Sequence, residues 1–276
     1  MTTTLKLWFS AIGTTFANTG ALLVFAIIYA FLLVASYIFI WIREATILQV
    51  LVTYALMVLI PIGFFTLQAA IINRAIDQKL RWRVILIDAL KFLAVSILVL
   101  LVAWLLHYLL NKISARYPAP APEIPPPSKV AQPTKATVPP LHWPSLIFST
   151  LRFVLWGVAV PLATIHLWIA IAGQGAKFVF RRVGSALARA FSPDSVLIYG
   201  LGLIIFVVLP YVILVPTFTI NGNKTEFAVF GLRLLLAFLF SLIGWVLTLT
   251  TFARIVPGLP PEVSVPAVAQ PTESVA

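Results

Sequence analysis

Six runs of this chain, residues 20–42, 46–72, 84–111, 146–172, 194–217 and 226–252, hold at most two charged side chains each. Each exceeds the about 20 apolar residues that an α-helix needs to cross a hydrocarbon layer of about 30 Å. Inside lipid the backbone must satisfy its own hydrogen bonds, which leaves helices and closed barrels as the spanning structures. Runs of this length predict helices. The sequence therefore specifies an all-α polytopic membrane bundle of six transmembrane helices. The 61% hydrophobic and 10% charged composition excludes a soluble globular domain.

The formal net charge of +11 is concentrated between the apolar runs rather than on a water-facing surface. That placement argues against nucleic acid and for anionic headgroups at a membrane face. Lys6, Arg74, Lys79, Arg81, Arg83, Lys177, Arg181, Arg182, Arg189 and Arg254 fall on one side of the predicted topology. Arg43, Lys112, Arg116, Lys129, Lys135 and Lys224 fall on the other. The excess predicts cytoplasmic N- and C-termini. Trp8 and Trp82 on the inner side, with Trp41 and Trp143 on the outer, match interfacial aromatic belts. The first run is too long for a signal-peptide core and reads as a retained span.

Four segments follow. An N-terminal membrane half covers residues 1–116, with an interfacial helix over 5–17 and the first three spans. Residues 117–144, "YPAPAPEIPPPSKVAQPTKATVPPLHWP", form a proline-rich extracytoplasmic linker of polyproline character. A C-terminal membrane half covers 145–256, and residues 257–276 form a cytoplasmic tail of similar composition. Helix-end chemistry supports the spans. Ser192, Pro193 and Asp194 suit the start of the fifth, Asn223 and Glu226 that of the sixth, and Asn221-Gly222 the turn before it.

Between the fourth and fifth spans, Lys177, Arg181, Arg182, Ser185 and Arg189 share one helical face. Val179, Phe180, Val183, Leu187, Ala190 and Phe191 share the opposite one. This predicts one basic amphipathic helix over 175–191 lying in the inner interface. Residues 5–17 follow suit with an apolar stripe of Leu5, Trp8, Phe9, Ile12 and Phe16. The two segments align at Ser10, Ala11, Phe16 and Leu22 with Ser185, Ala186, Phe191 and Leu197. The alignment outlines a candidate parallel repeat of one interfacial helix and two spans.

The pattern Ser-Ala-Leu-x-x-Ala-Phe at Ser185 to Phe191, echoed at Ser10 to Phe16, resembles a group of uncharacterised bacterial six-span membrane proteins. It is also similar to the membrane domain that precedes some glycerophosphodiester phosphodiesterases, although this chain carries no such catalytic domain. The resemblance implies a bacterial inner membrane and supplies no catalytic residue.

Charged groups within spans are functional candidates. Asp88 and Lys91 lie one turn apart and read as a local ion pair. Arg152 and Arg233 each lie about two turns inside the outer ends of their helices, a depth at which two guanidiniums could clamp a lipid phosphate or anionic solute, or each snorkel separately. His107 and His142 fall towards the outer side and His166 towards the inner, a poor metal set without cysteine or nearby carboxylate. Pro61, Pro161 and Pro210 fall near the middles of their spans, where transporter helices break around substrate, although proline is also ordinary in membrane helices. Phosphate-loop, zinc-helix and nucleophile-elbow motifs are absent from the sequence. The expected function is a non-enzymatic, cofactor-free membrane component that binds lipids or another membrane protein. A small transporter of an anionic or lipid-like solute is the alternative.

Overall fold

A computed structural model describes residues 2–17, 19–43, 45–77, 79–118, 142–215 and 223–255. Its helices are α1 (Thr2–Ala17), α2 (Thr19–Trp41), α3 (Ile47–Asp77), α4 (Trp82–Ser114), α5 (Trp143–Val154), α6 (Val160–Gln174), α7 (Ala176–Arg181), α8 (Val183–Ala190), α9 (Pro193–Leu203), α10 (Leu209–Leu214) and α11 (Asn223–Ile255). Most of the proline-rich linker, the C-terminal tail, Lys129, Lys135 and the Asn221-Gly222 turn lie outside the described residues, as do the side chains of Asn223 and Lys224.

Six helical stretches are long and apolar enough to cross a membrane: Thr19–Trp41, Ile47–Asp77, Trp82–Ser114, Trp143–Gln174, Pro193–Leu214 and Thr225–Ile255. Their outward faces carry large apolar side chains such as Ile40 at 79% and Ile47 at 83% exposure, untenable in water and suited to acyl chains. The chain is a multi-pass integral membrane protein. The cap at Ser192 forms as its residue type dictates, accepting a hydrogen bond from the Ser195 amide with Pro193 opening α9.

The fourth and fifth spans are interrupted by π-helical turns at Leu155–Ala159 and Ile204–Val208. Each ends two residues before a proline, Pro161 or Pro210. The Val160 amide reaches back to the Leu155 carbonyl and that of Leu209 to Ile204, steps of five residues rather than four. Proline removes a backbone donor and crowds the carbonyl four residues earlier, so the helix widens ahead of it. Pro61 instead lies within α3.

The basic interfacial helix expected over 175–191 is two short helices. They meet at Arg182, whose φ of −128° and ψ of 30° break the helical path. Gly184 two residues on is a weak helix former, and the Ser185 hydroxyl turns back to the Arg182 carbonyl at 2.8 Å. In α1 the fully buried residue is Ala11, while Phe9 and Phe16 of the predicted stripe are exposed. The helix packs on α11, and Phe9 and Phe16 are left for the surroundings while Trp8 is half-buried.

By contacts the chain divides into two compact units, Met1–Val95 with Leu162–Ala276, and Ser96–Pro161. In the first, Trp168 stacks on Phe92 at 5.6 Å and meets Phe65 edge-on. The expected ion pair is present: Lys91 Nζ lies 2.9 Å from Asp88 Oδ1, and Asn73 of α3 donates to Asp88 Oδ2 at 3.1 Å. α11 also closes tightly on α9 and the second π-helical turn. A Cβ at Gly202 would fall 2.0 Å from Thr248 Oγ1, and one at Gly244 would fall 2.8 Å from the Phe206 backbone nitrogen. In the second unit, Tyr117 stacks on Phe148 and Lys112 lies over the Tyr108 ring.

Candidate functional site

The two intramembrane arginines belong to different units, and each is engaged within its own. Arg152 donates from Nη2 to the Ser114 hydroxyl at 2.8 Å, linking α5 to the end of α4. Arg233 donates from Nε to the Ile213 carbonyl at 2.6 Å and from Nη2 to that of Leu214 at 2.8 Å. It thereby supplies donors to carbonyls at the C-terminal end of α10, which a helix leaves unsatisfied. Lys177, Arg181, Arg182 and Arg189 are exposed on α7, α8 and the break between them. Arg182 and Arg189 border a cavity of only about 30 Å³ beside His166.

Each histidine has its own partners. His107 accepts from Trp156 Nε1 at 3.2 Å, and His142 caps α5. His166 is buried, with Nε2 3.0 Å from the Ser195 hydroxyl and Nδ1 2.9 Å from the Leu162 carbonyl. With a carbonyl facing Nδ1, that nitrogen carries the proton in the neutral ring, and the single Ser195 hydroxyl proton is shared between Nε2 and the Arg189 carbonyl. Ser195 is 1% exposed and its hydroxyl also meets the Arg189 carbonyl and Ser192, so the cluster ties α6 to the start of α9. No group of three metal-binding side chains converges among the described residues.

A different cluster forms at one end of the first unit, where α1, α2, α3 and α11 enclose a cavity of about 210 Å³. Arg74 and Arg254 line it together with Thr14, Thr15 and Thr250. Arg254 is held from α1: Nη2 donates to Thr14 Oγ1 at 2.6 Å and Nη1 to Ser10 Oγ at 3.2 Å. Those bonds use two of the five donors of a guanidinium. The Thr15 hydroxyl is buried without a hydrogen-bond partner among the described residues, at a cost of about 1–3 kcal/mol. The first turn of α2, at Ala21 and Leu22, and the last turns of α1, α3 and α11 meet at this wall, so the two arginines also face the carbonyl ends of three helices. Two guanidiniums beside threonine side chains around one cavity suit an oxyanion, above all a phosphate.

Sequence reasoning used Arg74 and Arg254 only as orientation charges. The second apolar run ends at 72 and the sixth at 252, which places both arginines beyond their spans in the sequence. In the structure α3 continues to Asp77 and α11 to Ile255, which carries each guanidinium on a rigid helix. Comparison with protein-family models, curated proteins and solved structures finds no match.

Proposed function

We propose that this chain is a non-catalytic, lipid-interacting component of a bacterial inner membrane, with both termini in the cytoplasm. It holds the phosphate of an anionic headgroup between Arg74 and Arg254. The observation that carries this reading is the cavity lined by both arginines together with Thr14, Thr15 and Thr250. Guanidinium forks match phosphate oxygens, and the exposed Lys177, Arg181, Arg182 and Arg189 add attraction to an anionic surface. Another membrane protein is a second partner consistent with this role.

The test is lipid retention by the purified full chain, measured by native mass spectrometry with phosphatidylglycerol as the probe. A charge-assisted hydrogen bond contributes about 1.5–3 kcal/mol, so Arg74→Ala with Arg254→Ala is expected to weaken retention by roughly ten- to a hundredfold. Equal retention by the wild type and the double variant overturns the reading.

The two π-helical turns ahead of Pro161 and Pro210 favour a second reading, a small transporter for an anionic or lipid-like solute. Uptake into vesicles that is lost on Arg152→Ala or Arg233→Ala would establish it in place of the first.

A further inference from the structure

The basic cavity has a neighbour along the same three helices. A second cavity of about 410 Å³ lies between α2, α3 and α11, lined mainly by apolar side chains. On each helix the residues lining it succeed those lining the first. Along α2 the two linings run from Ala21 to Ser36, along α3 from Ala75 to Ile60, and along α11 from Arg254 to Ser241. At about 1.5 Å per residue these stretches measure roughly 20 to 22 Å. One leaflet contributes about half of a hydrocarbon layer of about 30 Å, so the path matches an acyl chain plus its headgroup. The Gln68 side chain borders the second cavity, and its oxygen is taken by Trp245 Nε1 at 2.6 Å. The volume falls within the roughly 300–1,000 Å³ of small-molecule sites.

Resting on the phosphate reading above, we infer that the occupant is a glycerophospholipid of the leaflet at the α1 end. Its phosphate sits between Arg74 and Arg254, and one acyl chain lies in the cleft between α2, α3 and α11. The charge at one end and the apolar wall beyond it follow the order of the lipid's own parts. Free phosphate shares the headgroup chemistry and would leave the cleft without a chain.

The experiment places the full chain in phosphatidylethanolamine vesicles with a trace of phosphatidic acid carrying a photoreactive diazirine midway along one chain. Crosslinked residues are then mapped by mass spectrometry. In the wild type, label is expected at the cleft residues Leu33, Phe64 and Leu242 in excess over Leu23 and Ile27 elsewhere on α2. Label spread evenly over these positions overturns the inference without any variant. Ser36→Trp, which fills the cleft, is expected to lower cleft labelling about tenfold while thermal unfolding stays that of a folded protein. Arg74→Ala with Arg254→Ala is expected to lower it as well, and excess inorganic phosphate to leave it unchanged.

Should Ser36→Trp leave the labelling intact while the arginine variant lowers lipid retention, the acyl cleft is wrong and the phosphate pocket stands. Displacement of the lipid by inorganic phosphate would identify free phosphate as the ligand and overturn the lipid. Loss of labelling in Ser36→Trp but not in the arginine variant would leave an apolar cleft and overturn the phosphate reading on which this inference rests.

Discussion

One helix, α11, meets its neighbours in two opposite ways. Towards α9 and the π-helical turn before α10 it presents Gly244 and Thr248, and backbones close to the point where a Cβ at Gly202 or Gly244 has no room. Towards α2 and α3 it presents Leu242 and Trp245 and leaves a cleft of about 410 Å³. Between membrane helices there is no hydrophobic drive of the kind that closes a soluble core, because lipid tails are as apolar as leucine. Small residues permit the close approach that dispersion forces need, so the first face closes. Where larger side chains hold the helices apart, the gap remains and acyl chains are the available filling. The same helix thus supplies a stabilising seam on one side and an open groove on the other.

The seam is where a single change should do most damage. Gly202→Ala puts a methyl group 2.0 Å from Thr248 Oγ1, with Thr248 Cγ2 and Cβ also within 3.1 Å. Overpacking of this kind costs about 1–3 kcal/mol. The expected result is a lower folded yield and a clearly lower midpoint of thermal unfolding in detergent, followed by intrinsic tryptophan fluorescence. Thr248→Ala removes the clashing oxygen and the Cγ2 at 3.0 Å, so the double variant should recover part of the loss. A Gly202→Ala protein as stable as the wild type would mean that the seam is looser than its geometry.

The contrast also explains how much could be read beforehand. The six spans were legible because apolar length is a strong signal, and expected and observed limits agree within a few residues except where α3 runs on to Asp77. The Ser192 cap and the Asp88–Lys91 pair were legible because each depends on local spacing alone. The basic cavity was not, since Arg74 and Arg254 are 180 positions apart and are brought to one wall only by the packing of α3 on α11. Sequence drew attention instead to Arg152 and Arg233, whose depth is a property of single helices, whereas their partners Ser114 and Ile213 are set by tertiary contacts. Likewise the period of residues 175–191 is that of one helix, and the break at Arg182 is not visible in it.

A smaller effect should come from the boundary shared by seam and groove. Phe206 lies four residues before Pro210, so its carbonyl lacks the donor that a regular helix would provide. Ser241 supplies one from α11, donating to the Phe206 carbonyl at 2.9 Å, and both residues also line the cleft. Ser241→Ala is expected to destabilise by about 1 kcal/mol, with Ser241→Thr restoring the hydrogen bond and most of the stability. Unfolding midpoints of the three proteins in one lipid mixture check this. A loss as large as that of Gly202→Ala would make the carbonyl, rather than close packing, the main support of the seam.

The smallest effect is expected on the groove wall itself. Trp245 Nε1 donates to Gln68 Oε1 at 2.6 Å, and the indole meets Phe206 edge-on at 5.1 Å. Interhelical side-chain hydrogen bonds in membranes contribute about 0.6 kcal/mol on average, since an opened helix pair finds substitute partners. A double-mutant cycle on Gln68→Leu and Trp245→Phe isolates that coupling from the volume each variant removes. A coupling of about 0.6 kcal/mol fits a bond that orients the wall without holding the fold. Coupling near zero would mean that the pair opens readily, and the groove would then be shaped by its occupant. Coupling above about 1.7 kcal/mol, the upper end for such bonds, would make α3 and α11 as firmly joined here as α9 and α11 are across the seam. The groove would in that case be a rigid gap set by the protein, and lipid would select its shape rather than create it.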